Sequence, residues 1–159
     1  MQKQFKRVNG ILHYHEAWVA GKEIIEHWGV VGERGETATQ QIPKGVNKEI
    51  AVLDVLKGAL HDGYVPADEI GECALLIEYT VAGMGSAKDL EKRQALEDRM
   101  NETLGWTGLG NCDGGSIGSG TMEVCCFVVD FEIAKRVIEA DLAGTEFSDF
   151  SRIYREDDE

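Results

Sequence analysis

Residues 11–19, ILHYHEAWV, lie between the dipeptides Asn9-Gly10 and Ala20-Gly21. In an extended segment Leu12, Tyr14, Glu16 and Trp18 share one face, and Ile11, His13, His15, Ala17 and Val19 share the other. Asn-Gly supplies the positive φ angles of the tight turns that suit twisted antiparallel strands. Residues 5–8 and 22–31 also read as strands, a further turn falls at 32–35, and residues 36–42 continue extended. The chain therefore opens as an antiparallel meander of about four strands.

A helix follows. Residues 43–46 make the connection, and Asn47 is placed to cap the first turn. Ile50, Leu53, Leu56 and Leu60 recur at three- and four-residue steps and predict one apolar stripe turned to the core. Gly63 is placed to end the helix, and Tyr64-Val65-Pro66 leads out.

Together, FKRVNGILHYHEAWVAGKEIIEHWGVVGERGETATQQIP and the following KEIAVLDVLKGALHDGY resemble a WGR domain over residues 5–65. That family has a strand meander, a Trp-Gly-Arg centre, a second glycine a few residues on, and a helix ending near Gly-Tyr. Trp28 and Gly29 stand on the motif, Gly32 and Gly35 match its turn, and Val30 replaces the arginine. In DNA-responsive members, such as poly(ADP-ribose) polymerases, the tryptophan and arginine help contact DNA. The resemblance thus implies a fold for residues 1–70 more firmly than it implies a function.

Composition shifts at residues 68–73. Residues 74–81, ALLIEYTV, form an apolar run of strand length, broken at 82–85. Ser86 stands three residues before Asp89, a capping-box spacing, and residues 87–104 read as a helix with Leu96, Met100 and Leu104 on one face. Gly105 is placed to end it. Residues 106–112 read as a short strand, 113–120 (DGGSIGSG) as a turn-rich loop, and 121–130 as a strong strand. A second helix, 131–142, carries Ile133, Val137 and Ile138 on one side, and residues 147–154 give a last strand. The succession β-α-β-β-α-β predicts a ferredoxin-like module, an antiparallel sheet with two helices on one face. DGGSIGSGTMEVCCFVVD is also similar to a segment of small bacterial proteins in which a glycine-rich loop precedes a strand, a resemblance that brings no activity with it. The expected class is α+β, with a WGR-like domain at 1–70 and a ferredoxin-like domain at 71–159.

Charge divides the same way. Residues 1–70 hold 8 basic and 10 acidic side chains, and residues 71–159 hold 8 and 19, which makes up the net −13. A phosphate backbone attracts cationic surfaces, so the second half disfavours nucleic acid and favours a basic partner. No run approaches the 18 apolar residues of a membrane span, and no apolar run with a cleavage site follows the basic start. Cys73, Cys112, Cys125 and Cys126 give neither a disulfide framework nor a Cys-x-x-Cys, so reduced thiols and a cytoplasmic location are expected.

Two stretches are candidate interaction surfaces. In the first, Trp28 and Gly29 precede a turn tipped by Arg34. Trp28 reads either as a core tryptophan beside a bend or, with Arg34, as a contact surface. In the second, Asp113, Gly114, Gly115, Ser116 and Ser119 lie in a loop whose amides can form an anion nest. No helix follows that loop and no lysine sits in it, so a hairpin connection is the plainer reading. His13 and His15 share a strand face, read as the open face of an edge strand, and lack a third ligand placed by sequence. Cys112 is the thiol expected to be most exposed. No catalytic motif occurs, and no cofactor or metal is expected. The expected function is a non-catalytic binding protein of the bacterial cytoplasm with a basic protein partner, of toxin-neutralising type. The alternatives are a nucleic-acid-binding module in the first half and a small enzyme acting between the halves. A homodimer is compatible with open sheet edges.

Overall fold

In a computed structural model that describes residues 1–158, Asn9 and Gly10 both take positive φ, 51° and 81°. This is the turn whose twist matches that of the strands it joins. It links β1 (Gln2–Val8) to β2 (Ile11–Ala20) and sets Val8 opposite Ile11. Gly21, with φ 64°, opens the turn into β3 (Glu23–Val30), and β4 (Glu36–Gln41) returns along β3. The Asn47 side chain accepts from the amides of Glu49 and Ile50 at 2.8 and 3.3 Å, starting α1 (Lys48–His61). Gly63, with φ 92°, follows its end. β5 (Val65–Pro66) then pairs with β1, and α2 (Ala67–Ile70) closes the segment. The first sheet has the order β4-β3-β2-β1-β5, all antiparallel.

The buried side of α1 differs from the expected stripe. Ala51, Val52 and Leu56 pack with Ala17 and Ile24 of the sheet, flanked by Val19, Ile42 and Val55. Of the four stripe residues only Leu56 is buried; Ile50, Leu53 and Leu60 are 56, 52 and 48 % exposed. The helix carries two apolar stripes, and the one containing Ala51, Leu56 and Ala59 is buried.

The chain divides into two compact units, Met1–Gly71 and Glu72–Glu159. The second unit runs β6 (Cys73–Thr80), α3 (Ala87–Trp106), β7 (Gly110–Gly118), β8 (Thr121–Val128), α4 (Phe131–Leu142), β9 (Arg152–Arg155) and a short 3-10 turn (Glu156–Asp158). Its sheet has the order β7-β8-β6-β9, again antiparallel throughout. Ser86 and Asp89 form a reciprocal capping box at the start of α3, and Asp130 caps α4 through the Ile133 amide at 3.0 Å. Alternate residues of β6 and β8, among them Leu75, Ile77, Val124 and Cys126, are fully buried, as are Leu96, Met100 and Leu104 of α3 and Ala134, Ile138 and Leu142 of α4.

Three boundaries depart from expectation. α3 continues through Trp106, whose indole donates to Glu102 Oε2 at 3.1 Å, so residues 106–109 are not strand. Residues 113–118 are not a loop: they belong to β7, and the connection shrinks to Ser119 and Gly120, with φ 54° and 86°. The last strand covers only Arg152–Arg155. Before it, the Thr145 hydroxyl donates to the Leu142 carbonyl at 2.6 Å and accepts from the Phe147 amide at 3.2 Å, winding the chain into turns. Phe147 is buried there, and its carbonyl accepts the Tyr79 hydroxyl at 2.7 Å.

Candidate functional site

The β2–β3 register sets Glu16 opposite His27, His15 opposite Trp28 and Tyr14 opposite Gly29. Alternation then sorts these residues onto two faces. On the first, His27 is 0 % exposed, and its Nδ1 lies 2.7 Å from Glu16 Oε1. Lys3 Nζ is 3.6 Å from the other Glu16 oxygen. His27 Nε2 faces the Tyr14 hydroxyl at 3.0 Å and the Arg34 carbonyl. The Tyr14 hydroxyl donates to the Glu33 carbonyl at 2.8 Å. Its proton is thus committed, and the Arg34 carbonyl can only accept, so Nε2 carries the hydrogen that both receive. Burial, then the charges of Glu16 and Glu33, push the Tyr14 phenol well above its usual range, which keeps it a donor.

An acid, a histidine and a tyrosine in one line resemble a proton relay. These three are 3, 0 and 0 % exposed, so no substrate atom can reach them. Their bonds end on the carbonyls of Glu33 and Arg34, and the set clamps the turn at 31–35 onto the sheet. Gly29 and Gly35 make the clamp sterically feasible. A Cβ on Gly29 would lie 2.8 Å from the Gly35 Cα, and one on Gly35, where φ is 66°, would strike the Trp28 carbonyl.

On the other face, His15 Nε2 and Glu26 Oε1 are 2.5 Å apart. The His15 ring lies 6.0 Å from Trp28 and 5.8 Å, edge-on, from Tyr64, with Lys6 Nζ 6.0 Å from the Tyr64 ring. Trp28 is half-buried, neither sealed in the core nor fully displayed, while Arg34 is exposed at the tip. His13 and His15 sit on β2, an interior strand with β1 and β3 on either side, rather than on an edge. Among the described residues no group of three or more His, Cys, Asp or Glu is placed to hold a metal.

In the second unit, Asp113 and Gly114 form a bulge between Cys112 and Gly115. The amides there are already bonded: Cys112 N–H donates to Asn101 Oδ1 at 2.8 Å and Gly114 N–H to Glu97 Oε1 at 2.9 Å, both from α3. Within the stretch considered as an anion nest, the Gly114 amide is therefore already taken by a side chain of α3. Gly115 is needed because a Cβ there would strike the Glu123 carbonyl of β8. Asp113, Ser116 and Ser119 remain exposed. Cys112, expected to be the most exposed thiol, is 6 % exposed and donates to the Cys125 carbonyl at 3.2 Å. Burial pushes the Cys73 and Cys125 thiols up, and a hydrogen bond with Cys112 together with burial pushes Cys126 up. All four cysteines are free.

Two open grooves flank the start of α1. One, of about 360 Å³, is lined by Ile24, Glu26, Gln40, Val46, Asp54 and Val55 among others. The second, of about 480 Å³, is lined by Met1, Trp18, Val19, Glu49, Val52 and Leu53 among others. The Glu26 carboxylate in the first is engaged by His15. The role of His27 is not legible in the sequence, because it depends on the strand register that sets it opposite Glu16. No helix among the described residues is long and apolar enough to cross a membrane. Comparison with protein-family models, curated proteins and solved structures gives no match to this chain.

Proposed function

We propose that the chain is a non-catalytic binding protein whose acidic second unit engages a basic protein partner, in the manner of a toxin-neutralising protein. One observation carries this reading: the acidic excess of residues 71–159 stands on exposed surface while several of its cations are neutralised within the unit. Glu91, Asp98 and Glu102 form one exposed row along α3, at helical spacings of seven and four. Lys92, Arg99 and Arg152 are paired with Asp149, Asp141 and Glu78. The Arg152 hydrogen bonds hold the Glu78 carboxyl below the usual carboxylate range, so it stays ionised. Such a field speeds and orients encounter with a cationic surface.

The finer fold reading belongs to the same proposal. A WGR-like first unit is supported by its four-strand meander followed by α1, with Trp28-Gly29 at the end of β3. A ferredoxin-like second unit is supported by its element succession and by the order β7-β8-β6-β9. Nucleic-acid binding by the first unit keeps one support, the shared face of Trp28, His15, Tyr64 and Lys6. Against it, Lys3 is turned to the opposite face and paired with Glu16.

The test is fluorescence anisotropy of a labelled Lys/Arg-rich peptide titrated with the full chain. Binding is expected at about 50 mM salt, weakening by about tenfold at 200 mM, with none for an acidic peptide. The double variant Glu91→Lys/Asp98→Lys is expected to lose about fivefold or more in affinity. Equal binding by that variant, or none by the native chain at low salt, overturns the proposal.

A further inference from the structure

The two sheets have four outer edges among the described residues, and three are closed. β5 is two residues long and ends on Pro66, which has no amide to offer, and α2 packs beside it on β1. β9 is four residues long and runs directly into the 3-10 turn. β7 is bulged, and Asn101 and Glu97 of α3 take amides there. These are the usual ways of guarding an edge.

β4 is guarded in none of them. Its six residues pair with β3 in unbroken register, from Trp28 opposite Glu36 to Glu23 opposite Gln41. Every one is exposed, and none is lysine or proline. The Ile42 amide donates to the Lys22 carbonyl at 3.0 Å. Bonding in an antiparallel pair alternates, so the even-numbered residues of β4 bond to β3. The amides and carbonyls of Thr37, Thr39 and Gln41 therefore point outward as an open row.

We propose that this row receives β4 of a second copy of the chain, antiparallel, about a two-fold axis at Thr39. The register places Thr39 opposite its own counterpart and Thr37 opposite the partner's Gln41, so each outward residue meets an outward residue. Threonine pairs across such a seam are favourable. Charge permits a second copy as the occupant. Two chains of −13 repel almost everywhere, yet β4 carries a single charge, Glu36, at its end. In this register Glu36 meets the partner's Ile42, and the two Glu36 carboxylates stand about 20 Å apart along the seam, at roughly 3.4 Å per residue. The seam is short for a permanent dimer, so dissociation in the range of tens of micromolar is expected.

Sedimentation equilibrium of the full chain, from about 1 to 500 µM, tests this. The mass is expected to rise from the 17.5 kDa of one chain toward twice that value. Thr39→Pro removes an outward amide that β3 does not use, and edge strands accept proline. Thr39→Lys keeps the amide but sets two cations face to face on the axis. Both variants are expected to keep the native circular dichroism and to weaken association by about tenfold or more. Leu53→Asp, on the exposed stripe of α1, is expected to leave it unchanged. A native chain that stays monomeric at 500 µM overturns the proposal, as does undiminished association in both Thr39 variants. Loss of the dimer in Leu53→Asp alone would assign the contact to α1 and overturn it equally.

Discussion

His27→Ala is expected to cost the first unit about 3–5 kcal/mol, enough to unfold a marginal domain of its size. The loss comes from what the imidazole leaves behind. Glu16, with a side chain only 4 % exposed, would lose its partner at 2.7 Å and be left with Lys3 alone at 3.6 Å. The Arg34 carbonyl would lose its buried donor, and the empty ring volume would remain as a cavity. Tyr14→Phe is a milder probe of the same clamp. It keeps the ring and removes the hydroxyl that bonds the Glu33 carbonyl, for about 1–3 kcal/mol. Urea titration of the full chain followed by tryptophan emission measures both. Trp18 and Trp28 report the first unit and Trp106 the second, which matters because two units need not unfold in one step. A cost below about 1 kcal/mol for His27→Ala would mean that the buried set does not hold the turn.

The second large effect separates the two stripes of α1. Leu56→Ala empties a fully buried position against Ala17 and Ile24 and is expected to cost about 2–5 kcal/mol. Leu53→Ala, at a residue 52 % exposed, is expected to stay within about 0.5 kcal/mol. Similar costs at both positions, in the same urea experiment, would contradict the face by which α1 packs.

That pair also shows where sequence reading stops. Spacing alone identifies α1 as a helix, and Asn47 and Gly63 mark its ends, because caps and glycine stops are local chemistry. It does not select between the stripe of Ile50, Leu53 and Leu60 and the stripe of Val52, Leu56 and Ala59, since both are apolar. The choice depends on the surface opposite, which no local pattern contains. Glycines mislead residues 113–118 for a related reason. Their strand conformation rests on Asn101 and Glu97, which reach over from α3, and on the approach of β8 to Gly115. The clamp was half legible: alternation puts Tyr14 and Glu16 on one face of β2. Reading the turn at Ala20-Gly21 displaces the register, whereas the turn at Gly21 and Lys22 brings His27 opposite Glu16. A slip of this kind changes every partner across the hairpin.

The buried polar set and the glycine-rich strand are both engaged in holding the fold. The exposed groups include a half-buried Trp28 and an exposed Arg34 in one unit, and a row of carboxylates on α3 in the other. The Lys6 and Tyr64 contact shows that the first unit also keeps a cation near its aromatic face, so the position at which a partner docks separates the readings better than affinity does.

The most direct measurement is therefore an amide chemical-shift map of the ¹⁵N-labelled full chain, titrated at low salt with the Lys/Arg-rich peptide. Perturbations are predicted along the outer row of α3 at Glu91, Asp98 and Glu102, fading as salt is added. Perturbations confined to residues 1–71 around Trp28, or a spectrum unchanged at saturating peptide, would contradict the acidic unit as the binding surface.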